Sequence, residues 1–347
     1  MTEPRSTGDD KPEHRADPGD ALPPPDEGPP GGRIFSLEGR RAPALYLIGW
    51  VLSVGGLVLL FLAPLANSGL GRVMFLALGG IALTLGLSAA AGSQIVDRRD
   101  RHPGRYRGPS PLLLFGVILA ASTLVSAALV ATGILDPNTP YGFLLGLLVV
   151  AVGYALAVWL FVVRTDALSW VDVGWPAAAP GRLSRALRAI GVAVLVMLPV
   201  TIGISLLGGI LALILGVQPP DVLPDINGSA DALAVALAVA IVAPVGEELF
   251  FRGFALTAWL RDLGQRAAIG RSALLFAVIH IVNIESATFG EGAAQAFLQT
   301  VVIFPLGLVL GWLFVRWGIL AAIAGHVTYN SLLLAMLALR SVLPEPA

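Results

Sequence analysis

The chain has 347 residues and no cysteine. That excludes disulfides, thiolate metal sites and a cysteine nucleophile. Charge is also scarce: Asp, Glu, Lys and Arg make up 13% of the residues and hydrophobic types 56%, against roughly 25% charged in an average soluble domain. A soluble globular protein is therefore excluded. Lys11 is the only lysine, so arginine carries nearly all the cationic charge, a bias that fits a GC-rich bacterial genome. The formal net charge is −1, which leaves no electrostatic footprint for nucleic acid. Of the four histidines, His14 lies in a polar tail and His102 in a basic loop; only His280 and His326 interrupt apolar stretches.

What remains is a succession of long apolar runs. Residues 1–42 stand apart, with Pro-Pro-Pro at 23–25, Pro-Pro at 29–30 and charges of both signs. Such a stretch buries too little apolar surface to order itself, so a disordered cytoplasmic tail is expected. It also lacks the n-region, apolar core and cleavage site of a signal peptide. The apolar runs lie near 44–65, 73–95, 111–134, 141–163, 189–216, 232–260, 272–289, 293–315 and 318–339, each close to the ~20 residues needed to cross a bilayer. The expected fold is all-α, a polytopic transmembrane bundle of about eight or nine spanning helices.

Loop charges orient it. Loop 97–107 carries five arginines, loop 164–188 carries Arg164, Arg182, Arg185 and Arg188, and loop 261–271 carries Arg261, Arg266 and Arg271. Alternating topology puts all three on one side. The opposite loops 136–140, 217–231 and 285–292 contain acids but neither Lys nor Arg. The positive-inside rule then places the arginine loops and the N-terminus in the cytoplasm, with the protein integral to a bacterial cytoplasmic membrane. Segment 164–176, with Trp170 and Trp175, reads equally well as an interfacial stretch or as a plain connection.

Polar residues recur in three of the last four apolar runs: Glu247, Glu248 and Arg252 in 232–260, then His280, one turn after Phe276, in 272–289, then His326 and Asn330 in 318–339. A charge at the centre of a spanning helix costs roughly 2.5–3.5 kcal/mol on insertion scales, so such residues usually have a use or a partner. Counted at 1.5 Å per residue from Arg261, Arg271 and Arg316, Glu247 lies about 21 Å deep, His280 about 14 Å and His326 about 15 Å. The three helices are thus expected to meet near one level. Glu248 and Arg252 have the i,i+4 spacing of an intrahelical ion pair. Glu247 points about 100° away and is not tied to the same arginine. A carboxylate in an apolar site beside a like charge is poised to act as a base near neutral pH. Pro244 and Gly246 should loosen the helix just before the pair. Asn283 is one turn beyond His280 and in position to orient its imidazole. His326 and Asn330 share a face and together could form an oxyanion hole, while the two histidines with a glutamate could instead hold zinc. Taken singly, the Glu248–Arg252 pair, either histidine or Asn330 is adequately explained as interhelical glue. The ordered set at matching depth is harder to explain that way.

In order, Glu247-Glu248 with Arg252 and Gly253, Phe276 with His280, and His326 with Asn330 form the patterns E-E-x-x-x-R, F-x-x-x-H and H-x-x-x-N. This succession resembles the CAAX-protease and bacteriocin-processing (CPBP, or Abi) family of intramembrane endopeptidases over roughly residues 232–335. The resemblance implies a catalytic transmembrane core at 232–339 behind N-terminal transmembrane helices at 43–231, with a conical cavity open to the cytoplasm and the bilayer. It implies that Glu247 activates water with help from His280, that His326 and Asn330 stabilise the oxyanion, and that Glu248 and Arg252 hold the site together. Zn²⁺, on Glu247, His280 and His326, is one option for such a site and a metal-free reaction the other; H-E-x-x-H is absent. Eukaryotic relatives trim the C-terminal tripeptide of prenylated proteins. The partners expected here are a membrane-associated peptide or protein substrate and the lipid bilayer. Two other classes fit part of the pattern. Buried Glu, Arg and His also serve proton-coupled secondary transporters, although those usually show paired halves with broken helices, and the polar clusters here are confined to the C-terminal third. An inactive family member acting as a membrane scaffold is the other.

Overall fold

The structure, a computed structural model, describes residues 36–37, 39–175, 181–218, 223–284, 286 and 288–342, with the side chains of 282–283 and 340–342 outside that description. The expected disordered tail falls almost wholly on residues 1–35, which lie outside it too. Among the described residues every regular element is helical. We label them α1 (Pro43–Leu62), α2 (Gly69–Asp97), α3 (Pro111–Ala131), α4 (Pro140–Val158), α5 (Arg182–Leu215), α6 (Ser229–Asp262), α7 (Gln265–Ile279), α8 (Phe289–Trp317) and α9 (Ile319–Val342). Helix starts follow local chemistry. Pro43, Pro111 and Pro140 open three of them, where a missing N–H costs nothing. Ser68, Thr139 and Thr288 cap α2, α4 and α8 by accepting from the amides of Gly71, Gly142 and Glu291.

Eight candidate spans are long and apolar enough to cross a membrane, and the protein is an integral membrane protein. α7 is not among the eight, and it lies seven residues earlier than the run expected at 272–289. Its neighbours nonetheless require it to cross. α7 begins next to Asp262, where the arginine loops gather: Tyr106 N–H donates to Asp262 Oδ1 (3.2 Å), Arg261 pairs with Asp172 (2.8 Å), and Ile319 N–H reaches Gly174 O (3.5 Å). The next helix, α8, begins at the other end, where Gln295 Nε2 donates to Gln218 O beyond the end of α5 (3.3 Å). The 15 residues of α7 continue into a 3-10 turn over His280–Asn283. At ~1.5 Å per α-residue and ~2 Å per 3-10 residue, the two span about 30 Å, one hydrocarbon thickness.

α6 is the irregular helix. It is π-wound over Ala238–Val242 and again over Leu249–Leu256. Pro244 has no N–H for the Ala240 carbonyl, so the α-ladder cannot continue through the first of these. The second is packed with Phe250, Phe251 and Phe254, all fully buried, against Tyr154, Phe115, Tyr106 and Phe276. Of segment 164–176, residues 164–175 are described and form turns rather than a regular helix. Leu168 and Val173 are buried, and the stretch closes the arginine end of the bundle. Gly253 makes this possible, since a Cβ there would lie 2.6 Å from Val173 Cγ1.

Candidate active site

The two adjacent glutamates have opposite surroundings. Glu248 is fully buried and its Oε1 accepts from Arg252 Nη1 at 2.7 Å. Arg252, equally buried, donates a second bond from Nη2 to the Gly307 carbonyl on α8 (3.3 Å) and lies 4.2 Å over the Phe276 ring. Gly307 has no side chain to intervene: a Cβ there would meet Ala273 at 2.9 Å. α6, α7 and α8 are thus tied by one guanidinium through an ion pair, a carbonyl and an aromatic face. Ser272 adds a bond from α7 to the Phe251 carbonyl (2.9 Å).

Glu247 takes no part in that pairing. Its side chain keeps 18% exposure, and its Oε2 lies 3.8 Å from His326 Nε2. His326 on α9 is fixed from its other side, with Nδ1 2.9 Å from Glu248 Oε1. An imidazole facing a carboxylate that accepts only must donate from Nδ1, which leaves Nε2 toward Glu247. His280 is oriented in a similar way, by backbone. Where α7 tightens into its 3-10 turn, the His280 amide turns to Ala277 O. The Phe276 carbonyl is thereby released from its α-partner and receives His280 Nδ1 at 2.6 Å. Nε2 of His280 is again the free nitrogen. Both rings pack edge-on against Phe276, at 4.8 Å for His280 and 5.6 Å for His326.

Asn330 is one turn beyond His326, and its Nδ2 donates to Val239 O at 2.8 Å. That carbonyl belongs to the first π-wound stretch of α6, so the irregular turn supplies the anchor. One N–H of the amide is used and the second remains. The side chain of Asn283, expected to orient His280, lies outside the described residues. The structure therefore gathers Glu247, Glu248, Arg252, Phe276, His280 and His326 around one centre and places Asn330 at its edge.

Tyr154 of α4 was not anticipated. It is nearly buried and stacks at 5.0 Å on Phe250, three residues beyond Glu247 on α6. Its hydroxyl has no hydrogen-bond partner among the described residues. Nothing in the run around Tyr154 marks it out, because only the packing of α4 against α6 brings it to Glu247.

The donors that zinc would use do not form a set. Among the described residues no three His, Asp or Glu side chains are grouped closely enough to hold a metal ion, whereas Nδ1 of each histidine on an oxygen acceptor is the arrangement that leaves Nε2 available to one.

Residues 229–332 match the family model described as Rce1-like, type II CAAX prenyl endopeptidase Rce1-like. The matched stretch contains every residue of the centre except Tyr154 and agrees with the resemblance to CPBP proteases. In general terms it supports a CAAX-protease-like intramembrane endopeptidase. No curated protein and no solved structure matches the chain.

Proposed function

We propose that the protein hydrolyses a peptide bond of a membrane-associated peptide or protein, near the cytoplasmic face, using water activated by Glu247. One observation carries this reading: of two consecutive carboxylates, Glu248 is sealed into an ion pair and Glu247 is left partly open against an oriented imidazole. Glu247 takes a proton from water as the oxygen attacks the carbonyl carbon, and His280 Nε2 helps to hold that water. The tetrahedral oxyanion is met by His326 and by the remaining N–H of Asn330. His326 is held in place for this by Glu248 Oε1, 2.9 Å from its Nδ1. The proton held by Glu247 then passes to the leaving amine. Zn²⁺ on Glu247, His280 and His326 is the alternative to this metal-free form.

The arginine-rich end faces the cytoplasm, and with it the chain start at 36–42, where Arg40 pairs with Asp97 (3.5 Å). Prenylated C-termini are the substrate class that the matched family's name suggests.

The test compares peptide termini in membranes from cells expressing wild type or Glu247→Gln at equal levels. Termini that appear only with wild type are expected, at a rate falling by about 10²–10⁴-fold in the variant. Identical termini would overturn the proposal in favour of a transporter or scaffold. Repeating the comparison after chelation separates the two forms: loss of cleavage restored by zinc would put a metal at the site.

A further inference from the structure

The active centre does not use the cavity at the arginine-rich end of the bundle. It has a volume of 590 Å³ and lies between segment 171–175, the first turns of α5, the end of α6 and the α8–α9 turn. Its deep wall is apolar, formed by Leu260, Phe314 and Leu320 among others, and Trp175 and Trp317 flank it. Its rim is cationic. Arg182 and Arg185 line it and have no ion-pair partner among the described residues. One turn on, Arg188 lies over the Trp317 ring at 5.3 Å. The one acid in the lining, Asp172, is neutralised by Arg261 at 2.8 Å.

The N-terminus of α5 opens on the same rim. Its N-cap is Gly181, which offers no side-chain acceptor to the first amides of this 34-residue helix. Those donors, together with the two arginines, favour an anion carrying several oxygens.

We propose that this cavity binds the headgroup of an anionic phospholipid. A small soluble anion would need the arginines but not the apolar wall. A phospholipid needs both, because its phosphate meets Arg182 and Arg185 while the roots of its chains follow Leu260, Phe314 and Leu320. The setting agrees. Tryptophans mark the membrane–water boundary, and basic pockets between spanning helices are where anionic headgroups settle. A headgroup here would also hold segment 171–175 in place, and that segment presses Val173 onto Gly253, next to Arg252.

The experiment uses the full chain purified in a non-ionic detergent. Its melting temperature is followed while phosphatidylglycerol, phosphatidylcholine or inorganic phosphate is added. Phosphatidylglycerol is expected to raise it saturably, with the other two doing so weakly or not at all. Arg182→Gln/Arg185→Gln should melt like wild type without lipid and need at least about tenfold more phosphatidylglycerol for half the shift, one decade being about 1.4 kcal/mol. Arg266→Gln/Arg271→Gln removes two exposed arginines from the same end, outside the cavity, and should respond like wild type. The proposal fails if wild type shows no shift, if the two double variants lose affinity equally, or if phosphate alone matches the lipid. Should the first double variant not fold, Arg185→Gln alone is titrated against Arg266→Gln, and equal affinities would sink it.

Discussion

Helices α1 and α2 at one end of the chain and α6 to α9 at the other cross the same membrane but are held together differently. Of the most apolar window in α1 and in α2, 11% is buried, against 50% in α6. The first pair is packed backbone to backbone. A Cβ at Gly56 would lie 2.5 Å from the Leu83 nitrogen, and Gly79 and Gly86 are as tightly placed on α2. Small residues let the two helices approach where lipid offers no hydrophobic drive for them to associate. The C-terminal helices instead surround a buried ion pair, two histidines and a cluster of phenylalanines. Dispersion between glycine faces positions a helix but leaves no polar group to work with. A hydrogen-bonded polar network fixes side-chain orientation as well, which is what catalysis needs. The family match is confined to the second region.

The sharpest way to break this contrast is to remove the shared guanidinium. Arg252→Ala leaves Glu248 buried beside an alanine and cuts the ties to Gly307 and Phe276. Losing one partner of a buried pair typically costs about 3–5 kcal/mol. The variant should unfold at a markedly lower temperature in detergent and lose activity with it. Wild-type melting would mean that the pair does not hold the core together. Gly56→Val addresses the other region. Its side chain must displace the backbone of α2 at Leu83, an overpacking worth about 1–3 kcal/mol. The expected result is faster proteolysis between α1 and α2, with peptidase activity within about twofold of wild type once folded protein is matched. A collapse of activity comparable to that of Arg252→Ala would show that the glycine-packed pair also organises the centre.

Much of the centre was legible because its residues are costly at membrane depth and recur at helical spacing. Glu248 and Arg252 at i,i+4 could be read as a pair, and the similar depths of Glu247, His280 and His326 pointed to one meeting level. What could not be read depends on backbone irregularity and on tertiary approach. Spacing alone put Asn330 beside His326, but its bond to Val239 exists because α6 is π-wound there. The His280–Phe276 bond depends on the change from α to 3-10 at the end of α7, and the start of that helix lies seven residues before the apolar run because its first turns carry Gln265, Arg266 and Arg271. The carbonyl of Gly307 and the ring of Tyr154 come from helices whose local sequence carries no polar signal. Segment 164–175 was ambiguous because its burial depends on the absence of a side chain at Gly253.

Tyr154→Phe refines the comparison within the core, since α4 lies outside the matched stretch. The ring packing on Phe250 survives and only the hydroxyl is lost, so melting should stay within about 0.5 kcal/mol of wild type. If the hydroxyl helps to hold water or substrate beside Glu247, kcat should fall by about tenfold, the worth of one hydrogen bond to a charged group. An unchanged kcat would reduce Tyr154 to a packing residue.

The smallest effect belongs to the lid of the arginine end. Burial pushes the Asp172 carboxyl up, but the Ser169 amide and hydroxyl, both at 2.8 Å, and the Arg261 guanidinium outweigh it and hold the carboxyl below its ordinary value. A lowered folded-state value means that the charged form stabilises the fold. The contribution is complete above the unfolded value of about 3.9 and is lost as pH falls through the lower folded one. The group is about one-third exposed, so solvent screening limits its worth to about 0.2–1 kcal/mol. Asp172→Asn should therefore melt slightly below wild type at pH 7, and the gap should narrow as the pH is taken below about 3.9. A gap that stayed constant with pH would mean that Asp172 holds segment 164–175 by shape and neutral hydrogen bonds. Docking of the lid would then owe nothing to the ion pair with Arg261 and would rest on Val173 packed over Gly253.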